Sequence, residues 1–95
     1  MIHEIATLSI DPARALAFRD AVALAKPLFL AAKGCHDMRL EQVIETPGQY
    51  LLMVRWTTVE DHEAFRRTAA FQEWRGHAGP FFTKPPEVVH VTQIV

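Results

Sequence analysis

The chain is short of several residue types and features, and each shortage removes a class of function. Cys35 is the only cysteine in 95 residues. An intrachain disulfide is impossible, so a disulfide-stapled scaffold is excluded, and the expected compartment is reducing and cytoplasmic. Formal net charge is −1. No basic field exists to neutralise phosphates, so nucleic acid is not an expected partner. The longest apolar stretch, Ala21 to Ala32, is interrupted by Lys26 and Pro27 and is too short to span a bilayer. The first residues carry Glu4 and Asp11 without a basic n-region, so neither a signal peptide nor a membrane partner is expected. Ser9 is the only serine, and it lacks the context of a nucleophile elbow. Gly76 and Gly79 make an isolated G-x-x-G with no strand before it and no helix after it, which does not cradle phosphate.

What remains is an ordinary globular composition, 49% hydrophobic and 22% charged, which excludes wholesale disorder. No linker, repeat or low-complexity run divides the chain, so residues 1–95 read as a single domain. A chain this short buries a modest share of its surface, and a partner subunit would add to its stability.

The periodicity predicts a strand over Ile2 to Ile10. One face carries Ile2, Ala6, Leu8 and Ile10, the other His3, Ile5, Thr7 and Ser9. Asp11-Pro12 opens a helix, with Asp as N-cap and Pro at the first helical position. That helix is expected to run to about Ala32, with a kink or split at Pro27 and a stop at Gly34. It has two apolar stripes: Ala15, Phe18, Val22, Ala25, Phe29, and Ala17, Ala21, Leu24, Leu28. One stripe suffices to cover a sheet, so the second points to a partner chain. Strands over Cys35 to Thr46 and Tyr50 to Thr57 flank the turn signal Pro47-Gly48-Gln49 and form a hairpin. Thr58 followed by Asp61 starts a helix over Val59 to Arg67. A second helix follows from Ala69 to about Gly76, then a turn-rich connection over Gly76–Phe82. Pro85-Pro86 delays the last strand, Glu87 to Val95.

The order β-α-β-β-α-β is the split βαβ arrangement. It predicts an α+β, ferredoxin-like fold: a four-stranded antiparallel sheet with helices on one face. The other sheet face still carries apolar residues. Two sheets packed face to face would cover it, so a homodimer through the open sheet face is the physical expectation.

Five histidines, His3, His36, His62, His77 and His90, show no ligand spacing, so no metal site is expected. Cys35 has no histidine fixed beside it and reads as a small buried apolar residue. The most chemical region surrounds the second helical segment. His62 and Arg66 share a helix face at i,i+4, Trp56 ends the preceding strand, and Trp74 and Phe82 follow. An aromatic-lined cavity with His62 and Arg66 at its mouth would hold a flat, partly polar molecule. His62 would act as base and Arg66 as partner of an oxyanion. The plainer alternative leaves Trp56, Phe65, Phe71 and Trp74 as core and His62 and Arg66 as a solvated face. His90, mid-strand among valines, either hydrogen-bonds within the core or interface or points into the same cavity.

The segments KGCHDMRLE (Lys33–Glu41), VRWTTVEDHEAFRRTAAFQEWR (Val54–Arg75) and GPFFTKPPEVVHV (Gly79–Val91) carry a family resemblance. The chain resembles, over nearly its whole length, a small antibiotic biosynthesis monooxygenase (ABM) domain of the dimeric α+β barrel superfamily. The resemblance implies the ferredoxin-like fold and a barrel of two chains. Its characterised members include cofactor-free oxygenases of anthrone-like or quinol-like compounds, and others that degrade haem. Trp56 matches the tryptophan that lies at the substrate cavity of the polyketide-oxidising members. Their tyrosine six residues later appears here as His62, and their asparagine four residues before the tryptophan appears as Leu52. Arg66 or Arg75 would serve for their helical arginine. The haem-degrading pattern is poorly matched. Its tryptophan falls near Thr68, its iron-ligating histidine near Arg75 and its strand-one asparagine near Ala6 or Thr7, which leaves only His77 in a shifted role.

The resemblance and the residues together suggest a cofactor-independent monooxygenase of a small aromatic phenol, quinol or anthrone. His62 and Arg66 would be catalytic, and Trp56, Trp74, Phe82 and His90 would bind substrate. The competing expectation is a non-catalytic dimeric binding or stress-related module with the same cavity.

Overall fold

A computed structural model describes all 95 residues. The first strand, β1 (Ile2–Ser9), leads through a single 3-10 turn at Pro12–Arg14 into helix α1 (Ala15–Leu30). The Asp11 side chain accepts a hydrogen bond from Ala13 N–H at 3.0 Å, as its N-cap position requires. Helix α1 does not split at Pro27, and Ala31 N–H still reaches the Pro27 carbonyl at 3.0 Å. The missing donor of Pro27 leaves only the Ala23 carbonyl short. Ala23, Lys26 and Pro27 are all exposed, so water can satisfy that group.

Gly34 sits at φ 81°, the left-handed conformation that reverses the chain into strand β2 (Cys35–Gln42). Strand β3 (Gln49–Trp56) pairs antiparallel with β2. Strand β2 ends four residues before the expected Thr46. Pro47 has no N–H to offer a ladder, and Gly48 at φ 84° turns the chain back. Two short helices follow, α2 (Val59–Phe65) and α3 (Ala69–Ala78). Thr58 caps the first and Thr68 the second, and the break between them falls where the sequence placed it. Helix α3 runs through Gly76 into the expected turn region, because an exposed glycine with open space around it costs only about 1 kcal/mol against alanine. A 3-10 turn at Gly79–Phe81 leads to β4 (Glu87–Val91). That strand stops short of the expected Val95 because its partner runs out: His3 pairs with Val91 near the start of β1.

The sheet order is β2-β3-β1-β4, all antiparallel, with the helices on one face. This is the α+β, ferredoxin-like fold that the β-α-β-β-α-β order implied. The first apolar stripe of α1 supplies Phe18, Val22, Ala25 and Phe29 to a core shared with Leu8, Met38, Tyr50, Leu52, Val54, Trp56, Phe65 and Trp74. The second stripe stays largely uncovered: Leu24 is 68% exposed. On the far side of the sheet, Ile5, Leu51, Met53, Val89 and Val91 lie opposite the helical layer, with Val89 56% exposed.

Candidate functional site

Strand β1 sends alternate side chains beneath the helices, and the burial alternates with it: Glu4, Ala6 and Leu8 are buried, and their neighbours only half so. Glu4 therefore enters the apolar layer by register, and it is only 4% exposed. Its Oε1 accepts the Nε1–H of Trp56 at 3.0 Å. The same oxygen lies 3.2 Å from Nε2 of His62, which is also 4% exposed. His62 is delivered by α2, whose start is fixed by Thr58 Oγ1 accepting from Asp61 N–H at 3.1 Å. Its ring stacks on Trp56 with centroids 5.4 Å apart and planes 20° apart. Its other nitrogen, Nδ1, lies 2.7 Å from Nε2 of His90. His90 faces Glu4 across the β1–β4 ladder, so both side chains fall on the helix side of the sheet.

Trp56, Glu4, His62 and His90 thus form one chain of polar contacts, drawn from β3, β1, α2 and β4. Burial raises the Glu4 carboxyl from its ordinary 4.5 to about 7, against the lowering pull of the Trp56 hydrogen bond and the Arg66 charge. Burial lowers His62 from 6.5 to about 4, and the nearby His90 and Arg66 charges add to the fall. At neutral pH His62 is neutral, so its 3.2 Å approach to Glu4 is a polar contact rather than an ion pair.

Glu4 and His62 border a cavity of about 130 Å³. Ala6, Leu8, Leu52, Phe71, Trp74 and Phe82 supply its apolar wall, and Arg66 and Arg75 line it as well. Both arginines are largely exposed. Arg66 caps the C-terminal end of α2, where a cation is favoured. The arrangement combines an ionisable carboxyl near neutrality, two cations and an apolar slot, the ingredients of proton transfer on a bound ring.

Of the residues singled out from sequence, His62, Arg66, Trp74 and Phe82 line this cavity. Two take other places than the walls expected of them. Trp56 is fully enclosed beneath Glu4 and His62, and its indole serves as a hydrogen-bond donor to the carboxylate. His90 reaches the site only through His62. His62 does not belong to a solvated helix face. Glu4 is the residue that sequence reasoning missed, although its signal was available. It sits between Ile2 and Ala6 at the two-residue period and is the one charge on an otherwise apolar strand face. Cys35 is half-buried with a raised thiol pKa, chiefly from burial, and lies away from the cavity lining. No three of the histidine, cysteine, aspartate and glutamate side chains converge as a metal ion requires.

A ferredoxin-like four-stranded sheet roofed by helices, with a cavity between the layers, defines the α+β class of this protein. Residues 1–76 match the model of the antibiotic biosynthesis monooxygenase family, and the chain belongs to that family. It is 36% identical over 95 residues to the uncharacterised protein YczJ of Bacillus subtilis, covering 99% of this chain and 100% of that one. A crystal structure from Bordetella bronchiseptica, of a protein provisionally assigned as an antibiotic biosynthesis monooxygenase, shares 44% identity. It superposes with a TM-score of 0.95, covering 99% of this chain and 97% of that one. SnoaB of Streptomyces nogalater, a cofactor-independent oxygenase, shares the fold at a TM-score of 0.82 and 14% identity, covering 99% and 93%. No helix is long and apolar enough to cross a membrane.

Proposed function

We propose that this protein is a cofactor-independent monooxygenase that converts a one-ring phenol or hydroquinone to a quinone. The observation that carries the reading is the buried Glu4–His62 pair at the edge of an apolar cavity of about 130 Å³. A protein cavity of about 150 Å³ holds one benzene ring, so the enclosed part of this cavity is on the scale of a single ring. Removing the hydroxyl proton makes the ring electron-rich enough to give an electron to O₂. The two radicals combine, and loss of water from the ring peroxide leaves the quinone. One phenol and one O₂ give one quinone and one water, so no outside reductant is consumed. Arg66 and Arg75 hold the phenolate oxygen or an acidic ring substituent at the mouth. The walls from Leu52, Phe71, Trp74 and Phe82 keep bulk water from the anion.

The functional unit in this reading is a homodimer. The apolar face made by Ile5, Leu51, Met53, Val89 and Val91 is the surface two copies would share, which supports a dimeric α+β barrel. One feature favours a non-catalytic binding module instead. Leu52 lines the cavity where the polyketide-oxidising pattern would put an asparagine, so that donor to an oxyanion is missing.

The deciding experiment is oxygen uptake by metal-stripped protein with phenol, hydroquinones and anthrone, with His62→Ala alongside. The expected result is uptake with the one-ring compounds, quinone as product and a fall in His62→Ala. No uptake with any compound would turn the assignment to the binding module.

A further inference from the structure

We propose that Glu4 is the catalytic base of this cavity: it takes the hydroxyl proton of the bound ring on Oε2 and returns it to the oxygen that leaves as water. His62 is then a positioning residue, and His90 sets its tautomer. The proposal rests on the phenol-oxidising reading, and it replaces His62 as the group that touches substrate.

The polar contacts make the assignment. Both ring nitrogens of His62 are engaged, Nε2 with Glu4 at 3.2 Å and Nδ1 with His90 at 2.7 Å. Neither is free to meet a ligand. Glu4 differs. Its contacts with Trp56 and His62 both fall on Oε1. Oε2 has no partner among the hydrogen bonds, yet no side-chain oxygen is both sealed and unpaired. Oε2 therefore keeps some exposure, and Glu4 is a lining residue of the cavity.

The proton positions follow from the donors. The Trp56 indole can only donate, so Oε1 is an acceptor. A carboxylate there favours the Nε2–H tautomer of His62, whose Nδ1 then accepts from His90 Nε2–H. The Trp56 N–H donates to Oε1 and His62 Nε2 lies 3.2 Å from the same oxygen, which leaves Oε2 as the basic lone pair for the ring. Groups around Glu4 come from each packed element: His62 and Arg66 from α2, Arg75 from α3, His90 from β4, Cys35 from β2, whose thiol the Glu4 charge helps to raise, and the uncharged Trp56 from β3. A carboxyl brought to about 7 by burial suits both halves of the cycle, because it gains and loses its proton near working pH.

The step balances without an external acid. The ring O–H breaks and Glu4 gains that proton. The ring anion then gives one electron to O₂, and the new C–O bond forms by radical combination. Glu4 returns its proton to the distal peroxide oxygen as the O–O bond breaks. The ring C–H proton leaves with the same oxygen, which completes water.

The test uses 4-nitrophenol, a one-ring phenol whose anion absorbs in the visible. Binding is followed by ligand NMR and ionisation by absorbance. The expected result is that wild type binds it with the phenolate band at mildly acidic pH. Glu4→Gln keeps both acceptor contacts on Oε1, binds the compound and loses most of the band. His62→Phe keeps the ring stacked on Trp56 but removes the N–H. It keeps the band, with its acid limb displaced to higher pH, a displacement that loss of packing alone does not produce. His90→Gln moves the limb the same way by less. With an oxidisable phenol, Glu4→Gln lowers oxygen uptake by roughly 100-fold or more.

An unchanged band in Glu4→Gln, its loss in His62→Phe, or failure of wild type to bind 4-nitrophenol would each overturn the assignment. Should no phenol drive oxygen uptake while the band still depends on Glu4, the monooxygenase reading fails and the proton acceptor stands.

Discussion

The two ends of the helix-covered sheet face are built to different rules. Towards the start of α1, Phe18 packs against Tyr50 and Phe81, with ring centroids 5.1 and 5.7 Å away, and Val22 and Met38 close the space without a buried charged side chain. Under α2 and α3 the same face holds Glu4 and His62 beside a cavity. Glu4 and His62 are as buried as the core rings around them, so burial of single residues does not distinguish the ends. The difference lies in what each end gives up. The first maximises close packing, which stabilises. The second keeps two ionisable groups out of water and leaves a void between layers, both of which destabilise. A fold that retains such a region against its own stability has a use for it.

The comparison breaks if the two ends respond alike to substitution. The largest effect is expected at the packed end. Phe18→Ala should lower unfolding free energy by roughly 3–5 kcal/mol, the range for deleting an enclosed aromatic ring. Oxygen uptake per folded molecule should change far less than stability, because Phe18 is not among the residues that line the cavity. Denaturant melts paired with activity normalised to folded protein would check both halves. The opposite outcome is expected at the other end. Glu4→Gln should raise stability at pH 8 by on the order of 1–3 kcal/mol, since the wild-type carboxylate is ionised there against its environment. The gain should vanish near pH 4, where Glu4 is protonated both folded and unfolded. Chemical melts at the two pH values decide it; a loss of stability at pH 8 would mean the carboxylate is held favourably.

How much of this was legible beforehand follows the same division. The packed end was written in local pattern. The 3,4 spacing of Phe18, Val22, Ala25 and Phe29, the Asp11-Pro12 start and the Pro47-Gly48 turn each acted where the sequence placed them. Errors there were matters of extent. Gly76 did not end α3, of the kink or split expected at Pro27 the split did not occur, and strands β2 and β4 stopped early for want of a donor or a partner. The site was legible in half. Spacing brought His62 to Arg66, and the aromatic run supplied Trp74 and Phe82. Glu4 and His90, 86 positions apart, meet only through the β1–β4 register. No spacing rule reports a contact made by two strands from opposite ends of the chain. What the sequence did offer was a lone acidic residue on an apolar strand face, and a polar group forced into a buried face signals function more strongly than the alternation it interrupts.

The pH dependence of stability sharpens the contrast further, because the two buried groups oppose one another. The Glu4 carboxyl, raised from 4.5 to about 7, contributes stability that is present at low pH and lost as pH rises through that window. His62, lowered from 6.5 to about 4, contributes stability that is present at high pH and lost as pH falls through its own. Between 4.5 and 6.5 the slopes cancel, so wild type should be nearly flat there. Each single variant exposes the other group. Glu4→Gln should gain stability as pH rises from 4 to 6.5, and His62→Phe should lose it from 4.5 to 7, each by at most about 1.4 kcal/mol per pH unit. Parallel slopes in the two variants would show that the groups do not carry the separate charges assigned to them.

The smallest effect on stability is expected at Arg66, and it separates binding from packing at the cavity mouth. Its side chain is exposed at the end of α2, so Arg66→Gln should change unfolding free energy by less than about 0.5 kcal/mol. Its charge nevertheless helps keep Glu4 from rising further and His62 from gaining a proton. Removing it should move the Glu4 titration to higher pH and the His62 titration also upward, both readable by NMR. Phenolate affinity should weaken while neutral-phenol affinity stays constant, which distinguishes an electrostatic partner from a wall of the cavity. Equal losses for charged and neutral ligands would make Arg66 a packing residue and leave Arg75 as the cation that meets the oxyanion.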